Sequence, residues 1–340
     1  MNSSIVKNNV IIIVTILSLN YSGTIAAQAD SVFKSYNLLL TIAGKGGAGD
    51  GDVNGWDTSF EGKPAVDAIL SGPHFAMADS VGNIYIADKD AHAIRKVDLK
   101  GIITTVAGIN REGDGKDGCA TTQALSSPNG LWVNKKGELY ILDLGNNKVR
   151  KVDTSGSMKT LFKDNAGITQ GRGLWVSQTE DTIWYSSGTR IKMWVPAEGI
   201  ITYADGFKNL GNIVQDRDGN IIATDRSANL VYRITKKGQK SVIAGNGETK
   251  CTGNGVPALE IAFHGVRGVW FLDDNSYFLA THEGSQVWYM DTQNIAHLFL
   301  NGKEGDKYHS GDGENFQTPG YKVSEVRAVS VDYQGNVLIT

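Results

Sequence analysis

A unit of strand, tight turn, strand, turn and strand recurs along this chain, and it restricts the fold more than any other feature. Gly72-Pro73-His74-Phe75-Ala76-Met77-Ala78-Asp79, Gly82-Asn83-Ile84-Tyr85-Ile86-Ala87-Asp88 and Ile94-Arg95-Lys96-Val97-Asp98 return as Pro128-Asn129-Gly130-Leu131-Trp132-Val133, Gly137-Glu138-Leu139-Tyr140-Ile141-Leu142-Asp143 and Val149-Arg150-Lys151-Val152-Asp153. Weaker copies run over 173–194, 212–234 and 268–290, and an incomplete sixth over 328–340. The turn markers Gly82, Gly137, Glu180, Gly219, Asn275 and Gly335 stand 55, 43, 39, 56 and 60 residues apart. That period, once loop insertions are allowed, is the one expected of propeller blades. A fourth strand is expected between copies, as at Ile102 to Gly108. With 41 glycines against 6 prolines, the composition fits many short strands and tight turns.

The patterns P-x-G followed by an apolar run, D-x-x-G-N-x-Y-x-A-D and x-I-R-K-V resemble the NHL repeat over nearly all of the chain after residue 29. The resemblance implies an all-β, six-bladed β-propeller of four-stranded blades, with Leu38 to Gly44 supplying the strand that closes the last blade. It also implies that the start of each innermost strand and the end of each second strand lie on one face, around the mouth of a central channel. The chain stops at Thr340, where every other copy continues into a third strand. A fragment with an unpaired edge in its sixth blade is therefore expected.

Residues 1–29 read as a secretory signal: Lys7 supplies the positive region, Val10 to Leu19 the apolar core, and Ala27-Gln28-Ala29 the small-residue cleavage site. One domain over 30–340 is expected to follow, secreted or periplasmic, with no later stretch apolar enough to span a membrane. A net charge of -3 gives no basic field for nucleic acid. Cys119 and Cys251 fall in glycine-rich loops of opposite blades and are expected to remain separate thiols; the alternative is a disulfide, which an oxidising compartment would allow.

Aligned on the repeat, the residue at the mouth is His74, Asn129, Arg172, Gly211, Arg267 and Arg327 in turn. Three guanidinium forks and an imidazole around one opening suit a carboxylate, sulfate or phosphate; the alternative is that each arginine pairs with a neighbouring carboxylate or carbonyl. Asp88, Asp143 and Asp225 end second strands and are expected to accept backbone hydrogen bonds in the following turn. Trp132, Trp175 and Trp270 share one inner-strand register and are expected to pack between blades. The Gly-Asp-Gly insertions at 49–51, 113–115 and 311–313, with Gly253-Asn254-Gly255, are expected on the mouth face. Within the first, Asp50, Asp52, Asn54, Gly55 and Glu61 match calcium-loop spacing, so calcium is a candidate ion; the alternative is a flexible turn.

The family includes a peptidyl-hydroxyglycine lyase that holds zinc with inner-strand histidines. No such set stands in register here, and no G-x-S-x-G elbow is present. The expected function is an extracytoplasmic module that binds a small anionic ligand, glycan or protein at one face and its Gly-Asp-Gly loops. The alternative is a lyase or hydrolase acting on an anionic substrate, with His74 as acid or base and Arg172, Arg267 and Arg327 stabilising negative charge.

Overall fold

The computed structural model describes the backbone of residues 13–18, and residues 33, 36–46, 53–250, 253–305, 310–315 and 318–340. The described strands form six antiparallel sheets. In chain order the inner strands are Pro73–Ala78, Pro128–Val133, Leu174–Val176, Leu210–Gln215, Val266–Phe271 and Val329–Val331. Each touches the next, and the last returns to the first, so the sheets surround one axis.

Within each sheet the chain steps outward strand by strand. The first sheet, for example, runs from Pro73–Ala78 through Ile84–Asp88 and Ala93–Val97 to Ile102–Ala107. Apolar clusters fill the spaces between sheets: Phe75, Met77 and Tyr85 of the first pack with Leu131, Val133 and Ile141 of the second.

The D-x-x-G-N motif is a turn device. Oδ1 of Asp79 accepts from the amides of Val81, Gly82 and Asn83 at 3.0, 2.9 and 2.9 Å, pinning the tight turn between the first two strands. All six turn markers take a left-handed backbone, including the two that are not glycine, Glu180 at φ 59° and Asn275 at φ 68°. The weak copies therefore keep the backbone of the strong ones, although the residue has changed. Asn275→Ala, which puts a plain Cβ at that φ, is expected to cost about 1 kcal/mol in a urea melt, whereas Asn275→Gly costs nothing. An equal loss for both would show that the side chain, rather than the backbone, matters there.

The P-x-G glycines answer a different need. A Cβ at Gly173 would lie 2.6 Å from the Ile213 amide nitrogen, and one at Gly268 would lie 2.9 Å from that of Val329. Inner strands of adjoining sheets approach too closely there for any side chain.

The sixth sheet draws on both ends of the described chain, in the order Tyr36–Ala43, Ile13–Ser18, Val337–Ile339, Val329–Val331. Tyr36–Ala43 takes the closing position expected of Leu38 to Gly44. The open edge expected after Thr340 is corrected: Ile13–Ser18 pairs with Val337–Ile339 on one side and Tyr36–Ala43 on the other. The rest of the expected signal segment, including its cleavage site, lies outside the described residues, as does Cys251. Cys119 is an exposed free thiol.

Candidate functional site

The start of each inner strand pairs with the end of the second strand, as at Pro73 with Asp88, Pro128 with Asp143 and Val266 with Thr281. The ladder then skips one residue. His74, Asn129 and Arg267 are each the extra residue of a β-bulge, since Phe75 pairs with Ala87, Gly130 with Leu142 and Gly268 with Ala280. A bulge re-aims a side chain that regular alternation would place elsewhere. In the sixth sheet the amides of Arg327 and Ala328 both reach the Thr340 carbonyl, and in the third the amides of Arg172 and Gly173 both reach the Ser186 hydroxyl at 2.9 and 2.8 Å. The sequence-predicted mouth residues thus share one local device.

Their environments differ. Nδ1 of His74 lies 2.7 Å from the Gly72 carbonyl and Nε2 lies 3.2 Å from a guanidinium nitrogen of Arg327. A carbonyl only accepts, so the Nδ1 proton is donated to it and the Nε2 lone pair receives from Arg327. Burial, followed by the charges of Arg267 and Arg327, pushes the His74 imidazole well below its usual range. Asn129 donates to the Gly171 carbonyl at 2.7 Å. Arg172 donates to the Asn209 side chain at 2.8 Å and the Leu210 carbonyl at 3.0 Å, with no carboxylate among these partners. Burial and the neighbouring Arg226 push it down to about 10.

Arg267 is the unusual member. It is 5% exposed, and no described carboxylate or carbonyl accepts a hydrogen bond from its guanidinium. Burial and then the charges of Arg327, Arg172 and Arg226 push it well below the ordinary arginine range. None of its nitrogens is wholly shut off from solvent without a partner, so the guanidinium opens to water instead of to a protein acceptor, at a cost in lost hydration.

Three members of this site were not read from the sequence: Arg226, His282 and Glu283. Arg226 pairs with Glu283, the carboxylate that offsets the arginine field, and the second Glu283 oxygen is buried without a partner. Burial, together with the charges of Arg267, Arg327, Arg226 and Arg172, holds the His282 imidazole down to about 2. These residues follow directly after second strands that end at Asp225 and Thr281. That shared offset is the signal that would have found them.

The three tryptophans pack against the apolar clusters between sheets, as expected, and they also meet one another. The rings of Trp132 and Trp175 meet edge to face at 6.4 Å, and those of Trp175 and Trp270 at 5.9 Å. Trp175 and Trp270 belong to the third and fifth sheets, so they meet across the axis. Each indole stands three residues beyond its mouth residue, about 10 Å along the strand, and the three rings floor the opening below the arginines.

The second-strand aspartates are structural in a way only partly anticipated. Asp88 accepts from the Ser71 amide at 2.5 Å and from Arg95 Nε at 3.0 Å; Asp143 accepts from the Ser126 amide at 2.7 Å and from Arg150 Nε at 3.1 Å. Asp225 accepts from the amides of Lys208 and Asn209 at 2.7 and 2.9 Å. They hold the loop that enters the inner strand more than the turn that follows. Arg95 and Arg150 are wholly buried.

Of the calcium-spaced set, Asp50 and Asp52 lie outside the described residues. Asn54 donates to the Asn110 carbonyl at 2.8 Å, and both Glu61 oxygens accept from Thr105. Asp114 faces Lys148 and Arg150, and Asp312 accepts from the Thr41 amide. These two Gly-Asp-Gly aspartates therefore serve their own sheets.

No family model matches the chain. Teneurin-3 of Mus musculus is 26% identical over 248 residues, which is 67% of this chain and 9% of teneurin-3. Teneurin-3 of Danio rerio is 27% identical over 61% of the chain and 8% of its own length. The chain thus spans under a tenth of the curated relatives it matches. An auxiliary nutrient binding protein from Bacteroides ovatus superposes with a TM-score of 0.62 over 98% of this chain and 77% of its own, at 12% identity. Virginiamycin B lyase from Staphylococcus aureus superposes at 0.53 over 79% and 77%, at 16% identity. The chain is an all-β β-propeller. At these identities the likeness carries the fold alone, and among the described residues no helix of this propeller is long and apolar enough to cross a membrane.

Proposed function

We propose that this protein is an extracytoplasmic binding module, a propeller of NHL type in which all six sheets act as blades, and that its mouth holds a small anion. The buried guanidinium of Arg267, without an acceptor and beside three further arginines, carries this reading. A carboxylate, sulfate or phosphate reaching it would gain charge-assisted hydrogen bonds and relieve the repulsion among the cations. The tryptophan floor below offers an apolar surface for the body of such a ligand, as in an acidic sugar. Binding is favoured over lyase or hydrolase chemistry because His74 is a poor base: it is held neutral, and its Nε2 lone pair already receives from Arg327. Leader cleavage after Ala29 and the seat of Ile13–Ser18 in the sixth sheet are alternative fates of that segment.

The test is a thermal-shift titration with galacturonate and sulfate against galactose and chloride at equal ionic strength. At about a hundred times Kd, a bound anion is expected to add about 2.7 kcal/mol, a rise in Tm of roughly 5–10 °C. Arg267→Ala is expected to remove that response. A protein indifferent to both anions would leave a protein-binding scaffold as its function.

A further inference from the structure

The propeller closes most of its outer edges with its own chain, always by the same chemistry. In the first, second and fifth sheets a two-residue strand, Lys63–Pro64, Gly118–Cys119 or Val256–Pro257, adds to the fourth strand from outside. Each cap brings a side-chain oxygen onto an outward amide of that fourth strand. Glu61 accepts from the Thr105 amide at 2.9 Å and from its hydroxyl; Asp117 accepts from the Thr160 amide and hydroxyl at 2.8 and 2.9 Å; Asn254 accepts from the Leu298 amide at 2.8 Å. In the sixth sheet Asp312 accepts from the Thr41 amide, and Gly313 donates to the Leu39 carbonyl at 2.8 Å.

The gripped residue always stands beside a bulge in the ladder between third and fourth strands: Thr105 pairs with Arg95, Thr160 with Arg150, Leu298 with Trp288. The third sheet repeats that bulge, with Thr202 paired to Lys192, so the register that turns the Thr105 amide outward turns Thr202 outward too. Yet the third sheet ends at Gly199–Ala204, with no fifth strand among the described residues. Thr202 carries the same amide and hydroxyl that Glu61 and Asp117 grip elsewhere. It opens into a cleft of about 660 Å³ lined also by Tyr203, Asp205, Gly206, Lys237 and Lys240, between the third and fourth sheets. Two lysines against one carboxylate give that lining a positive balance. Ile201, alongside, is 40% exposed.

We propose that the outer edge of the third sheet is a docking site for an extended acidic segment of a partner protein, which adds as a fifth strand and places an Asp or Glu on Thr202. An unpaired, partly apolar edge with outward amides is a template for strand addition, and the four internal caps, each beside a bulge of the same kind, show what this fold accepts there. The fourth sheet is the poorer candidate: Val242 stands at the same register without a hydroxyl, and Asn294 already donates to the Ile243 carbonyl at 3.1 Å.

The probe is a fluorescein-labelled peptide copying residues 57–66, which contain the Glu61 cap, titrated into the full chain by fluorescence anisotropy. Saturable binding is expected, weakened about tenfold by Glu61→Gln in the peptide and by Thr202→Pro in the protein, which removes the amide donor from an edge strand. Thr202→Glu, which leaves the backbone intact and repels the acid, is expected to do the same, so a folding defect in the proline variant would not obscure the result. Arg267→Ala should leave peptide binding unchanged, which separates this site from the mouth. The proposal is overturned by the absence of saturable binding up to about 1 mM, by both Thr202 variants binding the peptide as tightly as the unaltered chain, or by sedimentation showing that a second copy of the chain occupies the edge.

Discussion

Arg267→Met is expected to make the unliganded protein more stable while abolishing its response to anions. Ordinarily a buried arginine holds a partner, and its removal strands a carboxylate. Here no described acceptor takes its hydrogen bonds, three other arginines raise its energy, and burial adds the cost of lost hydration. Replacing such a charge by an apolar side chain of similar length stabilises by about 1–4 kcal/mol, or roughly 2–4 °C in Tm for each kcal/mol. Thermal or urea melts of the two proteins without ligand measure this directly. Arg267→Lys, which keeps the charge, should show no gain. A fall in stability on Arg267→Met would mean that the guanidinium supports the fold, and the anion site would lose its main argument. Stability given up at one position in the unliganded state is the usual mark of a site shaped for something that is not part of the chain.

Much of the architecture was legible because the repeat is written in backbone requirements. Glycine where φ is positive, aspartate where three amides converge, and glycine where neighbouring inner strands almost touch can each be read from one chain without alignment. Glu180 and Asn275 show the limit of that reading, since they keep the left-handed turn without the residue that announces it.

The mouth was partly legible for the same reason: His74, Arg172, Arg267 and Arg327 fall at one offset from the repeat. Arg226, His282 and Glu283 lie one and two residues past the aligned motif, where the copies no longer resemble one another. The convergence of three indoles depends on the ring geometry, which no linear spacing contains. Ile13–Ser18 posed a different difficulty. A short apolar run after a positive residue has the same composition whether it leads export or completes a sheet.

The I-R-K-V motif conceals a buried ion pair in each of the two strong repeats, and such a pair is costly to break from one side. Alternation along the strand puts Arg95 on the face of Val97 and Arg150 on the face of Val152, and both arginines are wholly buried beside Asp88 and Asp143. Arg95 also stacks on Trp56, its guanidinium 3.5 Å from the ring centroid, and donates to the Thr105 hydroxyl at 2.5 Å. Asp88→Ala would leave that guanidinium buried without its adjoining carboxylate and the Ser71 amide without its acceptor. The expected loss is about 3–5 kcal/mol, read as a lower midpoint in urea at unchanged slope. Asp143→Ala should cost less, because Arg150 keeps Asp114 at 3.0 Å and the Gly115 carbonyl at 2.7 Å. Pairing Asp88→Ala with Arg95→Met should recover much of the loss, since removing both charges abolishes the stranded one. Equal losses for the two aspartates, or no recovery in the double variant, would mean that the loop amide rather than the ion pair holds the blade together.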